Sequence, residues 1–279
     1  MMLAVTAAVV ATPTSNVRLS FGSVTLCQVM IKINHITKSF GGKPIIQDIS
    51  GEFDKGKTNL IIGSSGTGKS VLLKSIVGLL TPDVGNVFYD LRNFTEADKE
   101  MKAEIRREIG MLFQGGALFD SKTVERNVMF PLDILTKMSP EEKIERANFC
   151  LKRVGLENVN KKMPSEISGG MKKRVGIARA IVNNPNYLFC DEPNSGLDPQ
   201  TSILIDDLIG EITHEFDITT IVVTHDMNSV MGIGQKVMFL YKGRKLWEGS
   251  TNEIMNSGVE ELDDFVFSNK VMQNLKERS

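Results

Sequence analysis

Glycines, hydroxyl side chains and one lysine are spaced as in a phosphate-binding loop. The residues are Gly63, Ser64, Ser65, Gly66, Thr67, Gly68, Lys69 and Ser70. The glycines let the backbone curl with its N–H groups pointing inward, and the positive end of a following helix adds to that field. Lys69 can reach the outer phosphates of a triphosphate, and Ser70 can ligate Mg²⁺. Apolar runs on both sides predict the strand and helix that such a loop requires, which favours nucleotide binding over a flexible Gly/Ser-rich loop.

Two adjacent acids can supply the second half of such a site. The apolar residues 187–190 predict a buried strand, and Asp191 and Glu192 follow it. Asp191 can hold Mg²⁺ directly or through water, and Glu192 can orient and deprotonate a water molecule in line with the γ-phosphate. A helix cap and a solvated acid are the alternatives. The pairing with residues 63–70 favours the metal and base roles.

Four further motifs accompany the phosphate-binding loop and the acidic pair along the chain. Residues 167–171, Ile-Ser-Gly-Gly-Met, are similar to the signature LSGGQ of ATP-binding-cassette (ABC) ATPases and precede Asp191 by about one helix. Residues 195–198, Ser-Gly-Leu-Asp, resemble the D-loop of that family, Gln114 its Q-loop and His225 its switch histidine. The motifs span nearly all of residues 30–249. The resemblance implies an ATP-hydrolysing enzyme.

The resemblance also implies how the site is completed. Two chains pair head to tail, so that Ser168, Gly169 and Gly170 of one chain close over the ATP of the other. Asp198 belongs to the same ATP-binding set. Each site is then complete only in the dimer.

Three more side chains take roles from the resemblance. Gln114 is expected to touch Mg²⁺ and the attacking water, and to report nucleotide state to a docked partner. His225 is expected to donate to the γ-phosphate, although a histidine at a strand end is usually a satisfied polar group. Phe40 stands where the family has an aromatic residue that stacks on adenine, a position that is otherwise typical of core packing.

The departures from the signature narrow the resemblance. Ile167 and Met171 replace leucine and glutamine outside the Ser-Gly-Gly that contacts phosphate. Together with residues 113–119, 123–132 and 172–175, they resemble the ATPases of Mla- and Mce-type lipid transport systems. This implies an integral membrane permease and a periplasmic Mce-domain protein as partners, and a peripheral position on the cytoplasmic side of the inner membrane. An amino acid, ion or lipoprotein cargo is the alternative, followed by a non-transport ABC protein acting on ribosomes or DNA.

One loop and the short helix after it are more apolar than such elements normally are. The residues concerned are Ala117, Leu118, Phe119, Val128, Met129 and Phe130. They predict either a groove for a partner's helix or packing inside a helical subdomain. The partner that the resemblance implies is a cytoplasmic helix of the permease.

The order of elements predicts an α/β P-loop NTPase of ABC type. Strands alternating with helices favour a mixed central sheet flanked by helices, with an antiparallel β subdomain early in the chain and a helical subdomain over residues 114–173. A capping box at Ser139 begins a helix that should end at Gly155. Residues 81–83 and Pro131 are expected to end the helices before them.

Residues 30–250 are expected to form the ATPase domain. Residues 251–279 should form a C-terminal helical extension with a weak apolar stripe at Leu262, Phe265, Val266 and Leu275. Residues 1–29 are expected to be a disordered leader or an over-extended start, because the clear strand pattern opens at Met30. A secretory signal is a poor match, since no charged region precedes the first apolar residues.

Composition excludes several classes of protein. The net charge of −1 argues against a nucleic-acid partner bound through a broad basic face. The three cysteines lie far apart, which fits a reducing compartment better than a zinc or disulfide framework. Apolar runs fall short of the roughly 20 residues of a membrane-spanning helix, so a soluble or peripheral protein is expected.

Overall fold

The computed structural model describes residues 30–267, within which the chain forms two sheets and eight α-helices. The strands are β1 (Ile31–Phe40), β2 (Lys43–Phe53), β3 (Thr58–Ile62), β4 (Val84–Tyr89), β5 (Arg92–Asn93), β6 (Ile109–Leu112), β7 (Tyr187–Asp191), β8 (Thr219–Thr224), β9 (Lys236–Tyr241) and β10 (Arg244–Ser250). The helices are α1 (Lys69–Val77), α2 (Lys99–Arg107), α3 (Val124–Leu135), α4 (Pro140–Arg153), α5 (Gly169–Ile181), α6 (Pro199–Glu215), α7 (Met227–Ile233) and α8 (Glu260–Val266). The predicted leader and Leu275 lie outside the described residues.

The larger sheet is mixed, as the sequence predicts. Its strand order is β10-β9-β3-β8-β7-β6, in which β3 pairs in parallel with β8 and β9, and β7 pairs in parallel with β6 and β8. Only β10 runs antiparallel in this sheet, as the second arm of a hairpin with β9. The parallel strands end at one edge, so the residues that follow β3, β7 and β8 are brought together there.

The smaller sheet is antiparallel, with the order β2-β1-β4-β5. It packs with α1 on one face of the larger sheet, and α3, α4, α5 and α6 cover the other face. Side chains of β7 point alternately to the two faces. Phe189 lies in the core formed with α1 and the smaller sheet, and Leu188 and Cys190 lie in the core formed with α3, α4, α5 and α6. The central strands are therefore buried on both faces and read as continuous apolar runs.

Two arginines on α4 join this helix to its neighbours, one to α5 and one to α6. Arg146 on α4 donates to the carbonyl oxygens of Ile181 and Val182 at the end of α5, at 3.1 and 2.9 Å. Arg153, also on α4, pairs with Glu211 and Glu215 on α6 at 3.1 and 2.6 Å. The predicted capping box of α4 is present, with both Ser139 and Glu142 making their bonds, and Gly155 follows the helix end with a positive φ.

Two predicted helix ends are wrong. Helix α1 stops at Val77 because Gly78 takes a left-handed conformation and its N–H bonds back to the helix, before residues 81–83 are reached. Helix α3 continues through Pro131 to Leu135. A proline inside a helix costs about 3 kcal/mol, and the burial of Val128, Met129 and Leu132 on α3 exceeds that cost at roughly 1.5–3 kcal/mol each.

Some residues of the predicted apolar groove pack inside the protein, and others remain exposed. Val128 and Met129 are buried in the core, which is the packing interpretation. Phe119 stays 38% exposed and packs on Phe130 with ring centroids 4.5 Å apart. Ile134 on the same helix is 64% exposed. An apolar surface therefore persists at Phe119 and Ile134.

The last described residues form two short helices. Thr251–Asn256 is a 3₁₀ helix and α8 follows it. Leu262 and Val266 on α8 are buried in the same core as α3, α4, α5 and α6. This confirms part of the predicted apolar stripe. Across residues 30–267, the helices are too short or too polar to cross a membrane.

Candidate functional site

Residues 63–70, the phosphate loop, connect the buried strand β3 to α1 and lie at the edge where the parallel strands end. Gly63, Gly66 and Gly68 all have positive φ values. Gly63 has no room for a side chain, because a Cβ there would lie closer than 3.0 Å to the Leu240 carbonyl oxygen. The Thr67 hydroxyl donates to the Ser64 carbonyl oxygen at 2.9 Å and closes the turn.

Lys69 is nearly enclosed at the floor of this loop, with 6% of the residue exposed. Its Nζ donates to the carbonyl oxygens of Gly63 and Ser64 at 2.8 and 3.0 Å, and lies 4.0 Å from Glu192 Oε1. Burial lowers the pKa of the ammonium, and the carboxylates of Glu192 and Asp191 act against that shift. A phosphate group at this position would give the buried cation a far better partner than carbonyl oxygens.

Two of the three predicted metal ligands meet across the sheet edge. Ser70 Oγ, in the first turn of α1, donates to Asp191 Oδ1 at the end of β7, at 2.8 Å. Asp191 is buried. A hydroxyl and a carboxylate are the oxygen ligands that a small hard cation such as Mg²⁺ prefers, so the residues present fit that ion.

Glu192 holds the position that the sequence predicts for a base. Its φ is 48°, an uncommon left-handed conformation, and its N–H bonds to the Val223 carbonyl oxygen on β8 at 2.9 Å. His225, which follows β8 and is largely exposed, places Nδ1 2.7 Å from Glu192 Oε2. The strand register therefore brings together two residues that are 33 positions apart in sequence.

Gln114 borders the phosphate loop, and its side chain is hydrogen-bonded to the D-loop. It lines an open cavity of about 280 Å³ together with Gly66, Lys69, Ser70 and Glu192. Its Nε2 donates to Ser195 Oγ in the D-loop at 3.3 Å. A second cavity of about 380 Å³ lies between the D-loop and His225, and Glu192 lines this one too.

The signature residues lie elsewhere in the same chain. Ser168 caps α5 by accepting from the Met171 N–H at 3.3 Å, and Gly169 and Gly170 form the first turn of that helix. Their close neighbours are Leu197 in the D-loop and Thr201 on α6. They do not line the cavity of the phosphate loop. The helix N-terminus that could bind phosphate therefore lies outside the cavity of this chain's own phosphate loop.

Asp198 and Phe40, two further predicted ATP-binding residues, do not line the phosphate-loop cavity. Asp198 caps α6 and accepts from the backbone N–H and the hydroxyl of Thr201 at 3.0 and 2.6 Å, which holds its pKa below the usual range. Phe40 ends β1 with 48% of the residue exposed. Its ring is open to stacking, and Lys38 Nζ lies 5.6 Å from the ring centroid.

Sequence reasoning missed the groups beneath these loops. Lys173 and Arg179 on α5 are buried cations that bond to backbone carbonyl oxygens. Asn194 Nδ2 donates to Ser229 Oγ on α7 at 3.0 Å, and both side chains bond to buried Asp206 on α6. The available signal is a charged residue in an apolar helical pattern, as Lys173 is with Ile177 and Ala180.

Comparison with known proteins decides the family. A family profile described as ABC transporter matches residues 46–195, more than half of the chain, and this range includes the phosphate loop, the signature residues, Asp191 and Glu192. The chain belongs to the ABC transporter family. It is an ATP-binding, ATP-hydrolysing subunit of that family, and the predicted α/β P-loop fold of ABC type is confirmed.

Curated relatives cover most of this ABC ATPase. The "Probable ribonucleotide transport ATP-binding protein mkl" of Mycobacterium tuberculosis is 37% identical over 243 residues, covering 87% of this chain and 68% of the relative. The "Methionine import ATP-binding protein MetN" of Bacillus subtilis is 38% identical over 237 residues, covering 84% of this chain and 69% of the relative.

Solved structures show the same cassette. The dimeric post-hydrolysis state of the ATP-binding cassette MJ0796, bound to ADP and Pi, is similar with a TM-score of 0.73 and 33% identity. The match covers 79% of this chain and 98% of MJ0796. CbiO1 from Clostridium perfringens, part of the ABC transporter complex CbiONQ, is similar with a TM-score of 0.76 and 28% identity, covering 89% of this chain and 99% of CbiO1.

Proposed function

We propose that this ABC ATPase works as a head-to-tail dimer on the cytoplasmic side of the inner membrane, where it energises an integral membrane permease that moves phospholipid. One observation carries the dimer. Ser168, Gly169 and Gly170 form a helix N-terminus that does not line the phosphate-loop cavity of their own chain. A second copy that supplies this segment would complete the site, and the similar MJ0796 cassette was solved as a dimer with ADP and Pi.

The roles of the site residues follow from their contacts. Lys69 exchanges its carbonyl partners for the β- and γ-phosphates, and the curled backbone of residues 63–68 surrounds the phosphate chain. Phe40 stacks on adenine. Asp198 belongs to the ATP-binding set at the dimer face. Mg²⁺, when bound by Ser70 and Asp191 with Gln114 as a further ligand, neutralises charge on the phosphates.

Hydrolysis is assigned to Glu192. Its carboxylate accepts a proton from water as the water oxygen bonds to the γ-phosphorus, and the bond to the bridging oxygen breaks to give ADP and phosphate. The contact of His225 with Glu192 Oε2 fixes the carboxylate, and the exposed His225 ring can also donate to the γ-phosphate. Gln114 contacts the attacking water and links this site to Ser195 in the D-loop.

The lipid cargo rests on motif resemblance. Residues 113–119 and the Ser-Gly-Gly-Met signature are similar to those of Mla- and Mce-type systems. The exposed surface at Phe119 and Ile134 gives a permease helix an apolar place to dock beside the Q-loop. The relatives favour other cargoes in their printed names, a ribonucleotide and methionine. An amino acid importer is therefore the second candidate.

The membrane partner decides between these candidates. We expect the tagged full-length chain, purified from its own membranes in mild detergent, to carry a permease and an Mce-domain protein. In vesicles, the complex should transfer labelled phospholipid only when ATP and Mg²⁺ are present, and methionine should leave its ATPase rate unchanged. A complex that binds methionine and shows no lipid transfer would replace lipid by amino acid as the cargo.

A further inference from the structure

One face of α5 is built against the segment that contains Gln114. Lys173, Gly176 and Arg179 are spaced three residues apart, so they lie along the same side of the helix. Residues 114–117, here called the Q-loop segment, run along that side. A Cβ added at Gly176 would lie 3.7 Å from the Gly116 Cα, which shows how closely the two backbones approach.

Two buried cations fasten the Q-loop segment to α5. Lys173 Nζ donates to the Gln114 carbonyl oxygen and, at 3.3 Å, to the Glu192 carbonyl oxygen. The Arg179 guanidinium donates to the carbonyl oxygens of Gly116 and Ala117 at 2.6 and 2.7 Å. Lys173 is thus the group that joins both Gln114 and Glu192 to the helix.

A cation is a costly way to fill these positions. Lys173 and Arg179 are 5% and 8% exposed, and burial lowers the pKa of both groups. Methionine would fill the space of Lys173 without a desolvation cost. What the ammonium adds is a pair of directed hydrogen bonds to two separate catalytic segments, at Gln114 and at Glu192.

The first turn of α5, one turn before Lys173, would face the other nucleotide in the proposed dimer. This turn holds Ser168 and Gly169, which in the proposed dimer close over the ATP of the partner chain. We infer that Lys173 is a positioning residue that couples the two sites: it sets the backbone of Gln114 and Glu192 according to the position of α5. This inference rests on the proposed dimer. A shift of α5 toward the partner's ATP would then reach this chain's own hydrolytic residues through one side chain.

The test compares Lys173→Met with Lys172→Met in the full-length protein. Lys172 is the adjacent lysine, on a different face of α5. We expect Lys173→Met to lower kcat by about tenfold or more, to leave the KM for ATP within about threefold, and to bring the Hill coefficient for ATP toward 1. Lys172→Met should match the wild type in all three values. Lys173→Arg, which keeps a cationic donor, should recover part of kcat.

Three outcomes would overturn the inference. Wild-type kcat and Hill coefficient in Lys173→Met would show that the ammonium positions nothing. A fall in kcat that merely follows the folded fraction, measured by thermal unfolding, would show a structural role; Lys173→Gln gives a second variant if Lys173→Met does not fold. A wild-type protein with a Hill coefficient of 1 and no ATP-dependent dimer would remove the proposed dimer itself, which is a separate failure.

Discussion

At the scale of single residues, the site combines groups that are stable only because of their surroundings. Lys69 is a buried cation held by carbonyl oxygens, and Glu192 occupies a left-handed conformation that costs of order 1 kcal/mol or more. Asp206, beneath the D-loop, is a buried carboxyl. Burial raises its pKa to about 6, hydrogen bonds from Ser229 and Asn194 act against this, and the charges of Asp226 and Asp207 add to it.

The raised pKa of Asp206 predicts a pH-dependent stability. The unfolded carboxyl ionises near its ordinary value of 3.8 and the folded one near 6, so its contribution to stability is fully present below pH 3.8 and is lost as the pH rises toward 6. Asp206→Asn cannot ionise. Its free energy of unfolding relative to wild type should therefore rise by about 2 kcal/mol between pH 4.5 and pH 7.5, measured by urea denaturation.

Asp207→Asn is the matched control, because Asp207 is the exposed neighbour on the same helix. Because the charge of Asp207 is the smallest of the causes that raise the pKa of Asp206, this variant should change the pH dependence far less than Asp206→Asn does. A difference between Asp206→Asn and wild type that is constant with pH would contradict the assignment of the titrating group.

At the scale of elements, local signals locate helix starts better than helix ends. Ser139 predicts the start of α4, and its capping box is present. The end of α1 is set by Gly78, whose left-handed conformation lets Phe94 pack against it. The sequence offers two stop signals, at Gly78 and at residues 81–83, and the first one acts, with the Phe94 ring packed where a side chain of residue 78 would lie. At Pro131, buried neighbours override a helix breaker.

Gly78→Ala tests this account of the end of α1. The alanine would adopt an unfavourable positive φ, and its Cβ would lie closer than 3.0 Å to the Phe94 ring, so we expect a loss of about 2–4 kcal/mol in urea denaturation. Gly42→Ala has nearly the same φ, 77° against 79°, and open space around it. It should cost only about 1 kcal/mol. Equal losses for the two variants would rule out the contact with Phe94 as the cause.

At the scale of the whole molecule, one chain would supply half of each of two sites in the proposed dimer. The phosphate loop, Asp191 and Glu192 meet at one edge of the sheet, and the signature turn lies apart from them beside the D-loop. In the proposed dimer each chain supplies both halves to different nucleotides. Glu192 lines both cavities, so its carboxylate lies between the phosphate loop and the D-loop.

Glu192→Gln should trap the ATP-bound dimer. Its backbone and size are preserved, so ATP should still bind, while loss of the proton acceptor should lower turnover by about 10²-fold or more. With ATP and Mg²⁺, the variant should accumulate as a dimer in light scattering. Adding Ser168→Arg should prevent the dimer while leaving ATP binding intact, and Lys69→Ala should abolish binding itself. Wild-type turnover in Glu192→Gln would refute its role as the base.

The sequence by itself determined what depends on neighbours along the chain. The phosphate loop needs glycines at Gly63, Gly66 and Gly68 and a helix directly after them, and the buried strands β3, β7 and β8 follow from continuous apolar runs. Motif order was enough for the family, because each motif is a local backbone form with its own residue requirements. For this reason the fold class and the ATPase activity could be predicted from the sequence.

Only the tertiary structure decided which distant groups touch. His225 reaches Glu192 because β7 and β8 pair in a particular register, and Lys173 reaches Gln114 and Glu192 because α5 lies beneath both. Such contacts depend on the packing of elements that are far apart in the chain, and no local pattern encodes a register or a packing distance. Residues 63–70 were recognisable from their types and spacing alone, whereas the groups that position Glu192 were not.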